Sequence, residues 1–471
     1  MNALLARARP AAAVLACLAA LAALALVVVI LRNPLVPLLL IAAALAVPPA
    51  LLLAGRPLLC LCGALVLMIL PIGLRLEPLH TLATNGMLVA ALGAWLWKPG
   101  PRGHWSATCV LLALLIAWAA VTVLWAPDPG ESRRELIAWA MSFTLLFLFV
   151  NQVRSLRSVD GVMLAMAAYG WMIVLASLYT VLFTGYDFVR RLRVLDMNEN
   201  MLGLLLILML PGVIWPVLRS TGARRAILMA LSVAYILFTL AFVALSGSRG
   251  SAISIVLILF TFLFARSTRP WGFVGFGLVA SVALAAPFLL GVIIQRFTEE
   301  EGGEMGGRGD LWEASLGFIA GHPLTGAGVG NGPLSLHDSI AAVSSVHNHR
   351  MDLPSHQPVL EVGVDVGLVG IALYLAAILA AFLSFARSRA AWAAIPGAPA
   401  GYHMVVAGTT AGYLMSWFKG GGLKNHPTFF LLLALLLLPA HLARAQGVDR
   451  GVSGGVDGRP GPRGRKVSGD A

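Results

Sequence analysis

The residues best suited to chemistry lie in one polar stretch, residues 295–357, within a chain that is otherwise mostly apolar. This stretch holds five of the ten histidines: His322, His337, His347, His349 and His356. A neutral imidazole that is held by rigid structure can take a proton from a hydroxyl group and so act as a general base. His347 and His349 are two residues apart, and the other histidines also lack the compact spacing of a helical zinc motif, so we expect no metal site.

His356 is the histidine that the sequence ties most directly to a membrane helix. It stands in His356-Gln357-Pro358, and Pro358 suits the first turn of a helix that continues through Glu361. With His356 at the cap, the positive end of the helix dipole favours the neutral ring that a base requires. Glu361 could orient the ring, although it would also favour the protonated form. The alternative is a histidine that only caps the helix. In residues 334–351, which contain His337, we expect no strong element.

Two groups of arginines lie beside predicted helix starts and could bind an anion. The groups are Arg190, Arg191 and Arg193 in one loop, and Arg249 in the short turn Ser246–Ser251. Asn198 or Asn200 could cap the helix that follows the first group. A helix N-terminus attracts anions, and the planar guanidinium fork matches phosphate oxygens. The alternative for both groups is contact with the headgroups of membrane lipids.

A further arginine, Arg308, precedes a predicted short helix at residues 311–320 and a glycine-rich segment, residues 321–331. The glycines resemble a phosphate-binding loop only superficially, because no strand precedes them and no Lys-Ser/Thr pair ends them. We therefore expect no nucleotide. The net charge of +12 follows from the placement of basic loops in a membrane protein and does not indicate nucleic acid.

The elements that must position these residues are membrane helices. The chain has 471 residues, of which 59% are hydrophobic and 11% charged, and apolar runs of roughly 17–25 residues recur along it. This pattern predicts an all-α, polytopic membrane protein and lacks the alternation of a membrane barrel. The four cysteines lie in or beside apolar runs and read as small buried side chains. We predict fourteen spans, with twelve as the alternative, at residues 11–31, 34–54, 57–75, 81–97, 106–125, 134–151, 160–183, 200–218, 226–245, 251–265, 272–294, 358–386, 402–417 and 427–444.

The distribution of Lys and Arg orients the predicted helices. Most of the 33 basic residues fall in alternate loops, which we assign to the cytoplasm together with both termini. The large loop then lies outside the cytoplasm. The chain divides into N-terminal transmembrane helices (1–294), a large periplasmic loop with short helices (295–357), C-terminal transmembrane helices (358–444) and a disordered basic tail (445–471).

Taken in order, these pieces resemble the O-antigen ligase superfamily over residues 191–373. That superfamily covers lipopolysaccharide O-antigen ligases, O-antigen polymerases and oligosaccharyltransferases that modify pilins. The matching residues are Arg191, Asn198 and Asn200; Arg249; Arg308, Trp312, His322, Pro323, Gly326 and Gly328; and His356-Gln357 followed by Gly367 and Gly370. The sequence departs from the usual family pattern where Met-Asn-Glu-Asn replaces Asn-Pro-Asn, and where a threonine common after Gly367 is missing.

The resemblance implies an inverting, metal-independent glycosyltransferase without a cofactor, in the bacterial inner membrane with its site on the periplasmic side. The donor would be O-antigen on undecaprenyl diphosphate, and the acceptor a sugar hydroxyl of lipid A–core, both embedded among membrane lipids. His356 would be the base, and Arg191 and Arg249 would stabilise the departing diphosphate. Further candidates for substrate binding are Arg190, Arg193, Arg308, His337, His349, Gln357 and Glu361. The alternatives are a polymerase, a pilin-type oligosaccharyltransferase, or a lipid or glycan transporter.

Overall fold

The computed structural model describes residues 57–70, 79–97, 103–187, 191–285, 308–343, 355–417 and 426–448. Within these ranges the chain is helical and forms no strand, only an isolated bridge between Val194 and Met197, which confirms the all-α prediction. The helices are α1 (Pro57–Ile69), α2 (Leu79–Trp97), α3 (Ala107–Thr122), α4 (Pro129–Gln152), α5 (Leu156–Phe183), α6 (Glu199–Leu208), α7 (Leu210–Leu218), α8 (Gly222–Ser246), α9 (Arg249–Phe262), α10 (Arg269–Ala285), α11 (Arg308–Gly321), α12 (Gly332–Val343), α13 (Pro358–Arg387), α14 (Arg389–Ala393), α15 (Tyr402–Trp417) and α16 (Pro427–Ala445).

Seven helical segments in the described ranges are long and apolar enough to cross a membrane, so the chain is a multi-pass membrane protein. They are Ala107–Trp125, Pro129–Gln152, Leu156–Phe183, Glu199–Leu218, Gly222–Ser246, Pro358–Arg387 and Pro427–Ala445. Shorter apolar helices lie at Pro57–Ile69, Arg249–Phe262 and Arg269–Leu284. The predicted spans 11–31 and 34–54 lie outside the described residues, as does most of the predicted tail, so the total of fourteen spans stays a prediction.

Short polar turns reverse the chain and bring several helix ends to one end of the bundle. Asp128 caps α4 by accepting bonds from the backbone N–H of Gly130 and Glu131, and Ser248 caps α9 directly after α8 ends. Early in α9, the Ser254 hydroxyl lies 2.9 Å from the Ser416 hydroxyl near the end of α15. We call this the loop end of the bundle; it carries the starts of α4, α6, α9, α13 and α16.

An aromatic cluster fills the space between α13, α15 and α16 near the loop end. The ring of Tyr374 stacks on Trp417 with a centroid distance of 6.0 Å, and Trp417 stacks on Phe429 at 5.8 Å. The Tyr413 hydroxyl hydrogen-bonds the Thr428 hydroxyl at 2.9 Å, so no polar group of this pair is left unsatisfied in the core. The cluster joins α13 to α15, and α15 in turn packs on α9.

Helix α13 corresponds to the span that the sequence predicted over residues 358–386, and it is broken at Gly367. Gly367 has φ 72° and ψ −171°, a conformation that is essentially restricted to glycine. A Cβ at this position would lie 2.5 Å from the Leu324 backbone oxygen, so the site also has no room for a side chain. The predicted span is confirmed, but the break inside it was not predicted, because hydrophobic periodicity continues across a break that a tertiary contact imposes.

The break frees backbone groups of α13, and the glycine-rich segment and α3 satisfy them. Non-helical backbone inside a membrane protein requires such partners, because unpaired N–H and C=O groups are costly away from water. The three bonds run from Ala327 N to Val364 O (2.7 Å), from Trp118 Nε1 to Val366 O (2.8 Å), and from Leu368 N to Pro323 O (2.7 Å). The half-helix 358–366 is thereby fixed at the loop end.

Candidate functional site

The two arginine groups that the sequence suggested separately form one structure. The Nε of Arg191 donates to the backbone oxygen of Ser246 at 2.9 Å, and Leu192 N donates to Leu245 O at 2.9 Å. Both acceptors belong to the last residues of α8, whose carbonyls have no partner within the helix. Gly247, with φ 61°, then turns the chain into Ser248 and Arg249. The arginine loop is therefore fastened to the turn that carries Arg249.

Glu199 is the buried carboxylate of this cluster, with 4% of the residue exposed. Its Oε1 accepts a hydrogen bond from Arg193 Nε at 2.8 Å, and its Oε2 lies 3.7 Å from Arg191 Nη1. The bond to Glu199, followed by the charge of that carboxylate, raises the pKa of Arg193, so this guanidinium stays charged. Sequence reasoning missed Glu199 as a site residue; the signal was an acidic residue in the first turn of a helix that follows an arginine group.

A serine network joins the start of α6 to the start of α9. The Ser248 hydroxyl donates to Asn200 Oδ1 at 2.8 Å, and it accepts a hydrogen bond from Ser251 N at 3.3 Å. At Gly203 a Cβ would meet the Ser251 hydroxyl oxygen at 2.2 Å, so the two helices approach closely because this residue is glycine. The N-termini of α6 and α9 are thus adjacent, with Arg249 as the first residue of α9. Adjacent helix N-termini provide an electrostatic environment that favours an anion.

A cavity of about 510 Å³ opens beside this cluster. Its lining includes Arg193, Asn198 and Glu199, together with the turn residues Leu195 and Asp196. Both turn residues have positive φ, 53° and 56°, a region that non-glycine residues occupy at an energetic cost. The surrounding structure therefore holds the turn in a conformation it would not adopt alone, and the turn shapes the space next to Arg193.

His356 lies two residues before the start of α13 and has φ 53°, in the left-handed region. The cap of α13 is Gln357, whose Oε1 accepts from Leu360 N at 2.6 Å. The expectation that His356 occupies the cap was therefore wrong by one residue, since the longer Gln357 side chain folds back to the helix N–H groups. Left-handed backbone at a non-glycine residue persists only where neighbouring structure enforces it. Gln357, predicted to bind substrate, is engaged in capping.

Helix α11 supplies the anchor that holds His356. Trp312 Nε1 donates to the Ser355 backbone oxygen at 3.1 Å, and the hydroxyls of Ser315 and Ser355 are 2.6 Å apart and buried. Arg308 begins α11, which confirms the predicted short helix, but its side chain lies outside the described part of the structure. The residue before His356 is therefore tied to α11 by two hydrogen bonds.

Two carboxylates on the first half of α13 are buried, namely Glu361 (4% exposed) and Asp365 (1% exposed). Asp365 Oδ1 accepts from Gly332 N at 3.0 Å, at the start of α12. His337 lies on α12, so the expectation of no strong element in residues 334–351 was wrong for its first part. The reason is that Asp365, which lies far along the chain, satisfies the N-terminus of that helix.

The glycine-rich segment is explained by close packing of backbone. A Cβ on Gly326 would lie 2.6 Å from the backbone of Asp365, and one on Gly328 would lie 2.6 Å from Ala126 Cβ. Both glycines have positive φ. The segment ends at Asn331, which exchanges hydrogen bonds with Asp128: Asp128 N donates to Asn331 Oδ1 at 2.7 Å, and Asn331 Nδ2 donates to Asp128 O at 3.2 Å. The segment thus bridges α13 and the start of α4.

The described residues therefore contain two clusters at the loop end. The arginine cluster comprises Arg191, Arg193, Glu199, Asn200 and residues 246–251. The histidine cluster comprises residues 355–361 together with His337 on α12. Arg190 and His349 lie outside the described residues. Across the described ranges, no group of three or more His, Cys, Asp or Glu side chains could hold a metal ion.

Comparison with known families gives one finding. Residues 234–375 match a family model described as O-antigen ligase. The matched range contains Arg249, Gly367 and all of the histidine cluster, while Arg191 and Glu199 precede it. No curated protein matches the chain.

Proposed function

We propose that the chain is an O-antigen ligase, because residues 234–375 match the family model of that description and the match supports a glycosyltransferase-type membrane enzyme. It transfers O-antigen polysaccharide from undecaprenyl diphosphate to a sugar hydroxyl of lipid A–core. The reaction takes place at the periplasmic face of the bacterial inner membrane, which is the loop end of the bundle. Both substrates are anchored in lipid, so a site at the membrane surface suits them.

The observation that carries this proposal is the bond between Arg191 and Ser246, which unites two cationic groups at two adjacent helix starts. The leaving group of the donor is a diphosphate. Guanidinium groups bind phosphate oxygens in a bidentate way, and helix N–H groups add further donors. Arg191 and Arg249 stabilise the charge that develops on the diphosphate, which is the largest electrostatic contribution to the rate. Arg193 is kept in place by Glu199 and binds the donor more peripherally.

His356 acts as the general base in this scheme. The acceptor oxygen forms a bond to the anomeric carbon of the donor while the bond from that carbon to the diphosphate oxygen breaks, and the electron pair leaves with the diphosphate. The acceptor proton moves to the imidazole of His356. Attack from the side opposite the leaving group inverts the anomeric configuration. A base of this kind contributes a factor of about 10²–10⁴ in rate.

The residues around His356 position it and do not react. Gln357 caps α13, and the hydrogen bonds of Ser355 to Trp312 and Ser315 fix the chain directly before the imidazole. Glu361, one turn into α13, is a buried carboxylate that orients the ring or a hydroxyl of the acceptor. His337 and Arg308 lie on the two helices that pack beside α13 and are proposed to contact the glycan.

A deletion strain tests the proposed function directly. The expected result is a lipopolysaccharide gel that shows intact core and no O-antigen ladder, with the ladder restored by the full-length gene. Core carrying a single repeat would indicate a polymerase and would contradict the ligase assignment. An unchanged ladder would contradict both and would point to a protein-directed oligosaccharyltransferase or a transporter.

A further inference from the structure

A second polar cavity lies at the end of the bundle opposite the loop end. It has a volume of about 390 Å³ and is formed where α3 begins and where α13 and α16 end. Its polar lining includes His104, Thr108, Arg387, His441 and Arg444. None of these residues belongs to the arginine cluster or the histidine cluster, so the proposed transfer reaction does not account for the cavity.

The charge around this cavity is positive. Arg387 lies in the last turn of α13 and Arg444 in the last turn of α16. Arg444 Nη1 donates to His104 Nε2 at 2.8 Å, so His104 accepts this bond as a neutral ring. Burial, followed by the charge of Arg444, lowers the pKa of His104 and keeps it neutral. Among the residues that the structure describes, no carboxylate lines this cavity.

The start of α3 adds backbone donors to the same cavity. Ser106 caps this 16-residue helix by accepting from Cys109 N, and Ala107 and Thr108, which follow it, also line the cavity. The first N–H groups of a helix have no acceptor within the helix and carry partial positive charge. The cavity therefore combines two guanidinium groups with a helix N-terminus.

Two buried polar side chains that line the cavity have no hydrogen-bond partner within the described structure. They are Thr108, whose Oγ1 is unpartnered, and His441, whose Nδ1 and Nε2 are both unpartnered. His441 is 7% exposed and Thr108 is 1% exposed. A buried polar group without a partner is energetically costly, so two of them at one cavity call for a ligand that satisfies them.

We propose that this cavity is a binding site for a phosphate group, held by Arg387 and Arg444, by the N-terminus of α3 and by the side chains of Thr108 and His441. Phosphate offers several acceptor oxygens and negative charge, which matches a lining of donors and cations. His441 donates one ring N–H to the phosphate, and Thr108 donates its hydroxyl.

The phosphate can belong to a membrane lipid or to a soluble compound. The rest of the lining favours a lipid, because apolar side chains such as Leu383 and Leu437 extend the cavity along the helices. Trp105 also lines it and is 51% exposed, as is common for tryptophan at the boundary between membrane and water. The headgroup would then sit among the arginines and an acyl chain along the apolar wall.

Binding measurements on the purified full-length protein test this proposal. Native mass spectrometry measures the affinity of the protein for phosphatidic acid and for phosphatidylcholine with the same acyl chains. The measurement is made on the wild type and on Arg387→Gln, Arg444→Gln and His441→Leu. The matched control is Arg389→Gln, because Arg389 is exposed, lies two residues from Arg387 and does not line the cavity. Thermal unfolding with and without inorganic phosphate tests whether the cavity binds a soluble phosphate compound.

The expected result is that each of the two arginine variants weakens binding about tenfold or more, since each loses a charge-assisted hydrogen bond, while Arg389→Gln binds as the wild type does. His441→Leu is expected to unfold at a higher temperature without ligand, because the unpartnered ring is gone, and to bind more weakly. Selective binding of phosphatidic acid identifies a lipid, and a phosphate-dependent rise in Tm that Arg444→Gln abolishes identifies a soluble phosphate. The proposal is overturned if the wild type and all three cavity variants bind phosphatidic acid with equal affinity and also respond equally to inorganic phosphate.

Discussion

The Nε of Arg191 donates a hydrogen bond to the backbone oxygen of Ser246 at 2.9 Å. Ser246 is the last residue of α8, and Arg249 begins α9 three residues later. The bond therefore makes one cluster of two arginines that are far apart in the chain. In the proposed ligase, both guanidinium groups act on the same diphosphate, so loss of either one should impair the same chemical step.

Replacement of Arg191 by Ala should lower the rate of glycan transfer by about 10²–10³, the loss typical of a group that stabilises developing negative charge. Arg191→Lys should recover little, because a single ammonium cannot both replace the Nε bond to Ser246 and make a bidentate phosphate contact. The measurement is transfer from undecaprenyl-diphosphate-linked glycan by purified protein. Arg193→Ala is the comparison variant. Because the Arg193 side chain is 75% exposed, this variant should lose less of the transfer rate than Arg191→Ala does. An Arg191→Ala variant with at least half of the wild-type rate would remove Arg191 from the site.

Replacement of Arg249 by Ala should lower transfer as severely as Arg191→Ala does while the protein still inserts into the membrane, and Arg249→Lys should restore activity only in part. Arg269→Ala is a matched control, because Arg269 likewise begins a helix, α10, but at the opposite end of the bundle. Its rate should stay near that of the wild type. Equal losses in the two variants would mean that the effect arises from helix starts in general and not from donor binding.

Gly367→Ala should destabilise the folded protein by about 1–3 kcal/mol, because alanine rarely adopts the backbone conformation at this break. The added Cβ would also lie 2.5 Å from the Leu324 oxygen. Transfer activity should fall with stability, since the break fixes the half-helix that follows His356. Thermal unfolding monitored by tryptophan fluorescence measures the change.

Gly317→Ala provides the control for that substitution. Gly317 lies inside α11 and is exposed, and a Cβ added to it would meet no neighbouring atom within 4 Å. Alanine should therefore be neutral or slightly stabilising there. If both variants unfolded at the same temperature as the wild type, the strained conformation of Gly367 would not contribute to stability.

The loop end should face the periplasm. A cysteine at Ser335, on α12, should react with a membrane-impermeant maleimide added to intact spheroplasts. A cysteine at Ser267, which is exposed between α9 and α10 at the opposite end, should react only after permeabilisation. The reverse pattern would place the arginine cluster in the cytoplasm, where the proposed substrates are not presented.

The sequence predicted the helices well where apolar runs and polar turns alternate, as in α3 to α9. It also identified both arginine groups, because cations beside helix starts are visible in the chain. It did not show that the groups are joined. That depends on Leu192 and Arg191 reaching the end of α8, and on Gly203 allowing α6 and α9 to approach. Such contacts between distant segments leave no periodic signal.

The break in α13 illustrates the same limit. Residues 358–386 are apolar enough for one helix in spite of Glu361 and Asp365, and Gly367 alone does not predict a break, since glycines are common in membrane helices. The cause lies in Pro323 and Trp118, which bond the freed backbone groups. The helix α12 was missed for a similar reason, because Asp365 satisfies its start from another part of the chain.

The most direct test of the account is the single-turnover rate of His356→Asn. Asparagine tolerates the left-handed backbone that His356 adopts, so this variant removes the imidazole without straining the chain. His322→Asn is the matched control, since His322 is exposed and its ring stacks on Phe318, with Nδ1 3.2 Å from the Phe318 backbone oxygen. We predict that His356→Asn binds the undecaprenyl-linked donor as the wild type does but transfers it about 10²–10⁴ times more slowly, while His322→Asn transfers it normally. A His356→Asn variant with near-normal turnover would contradict the account, because the ring would then serve only to shape the start of α13.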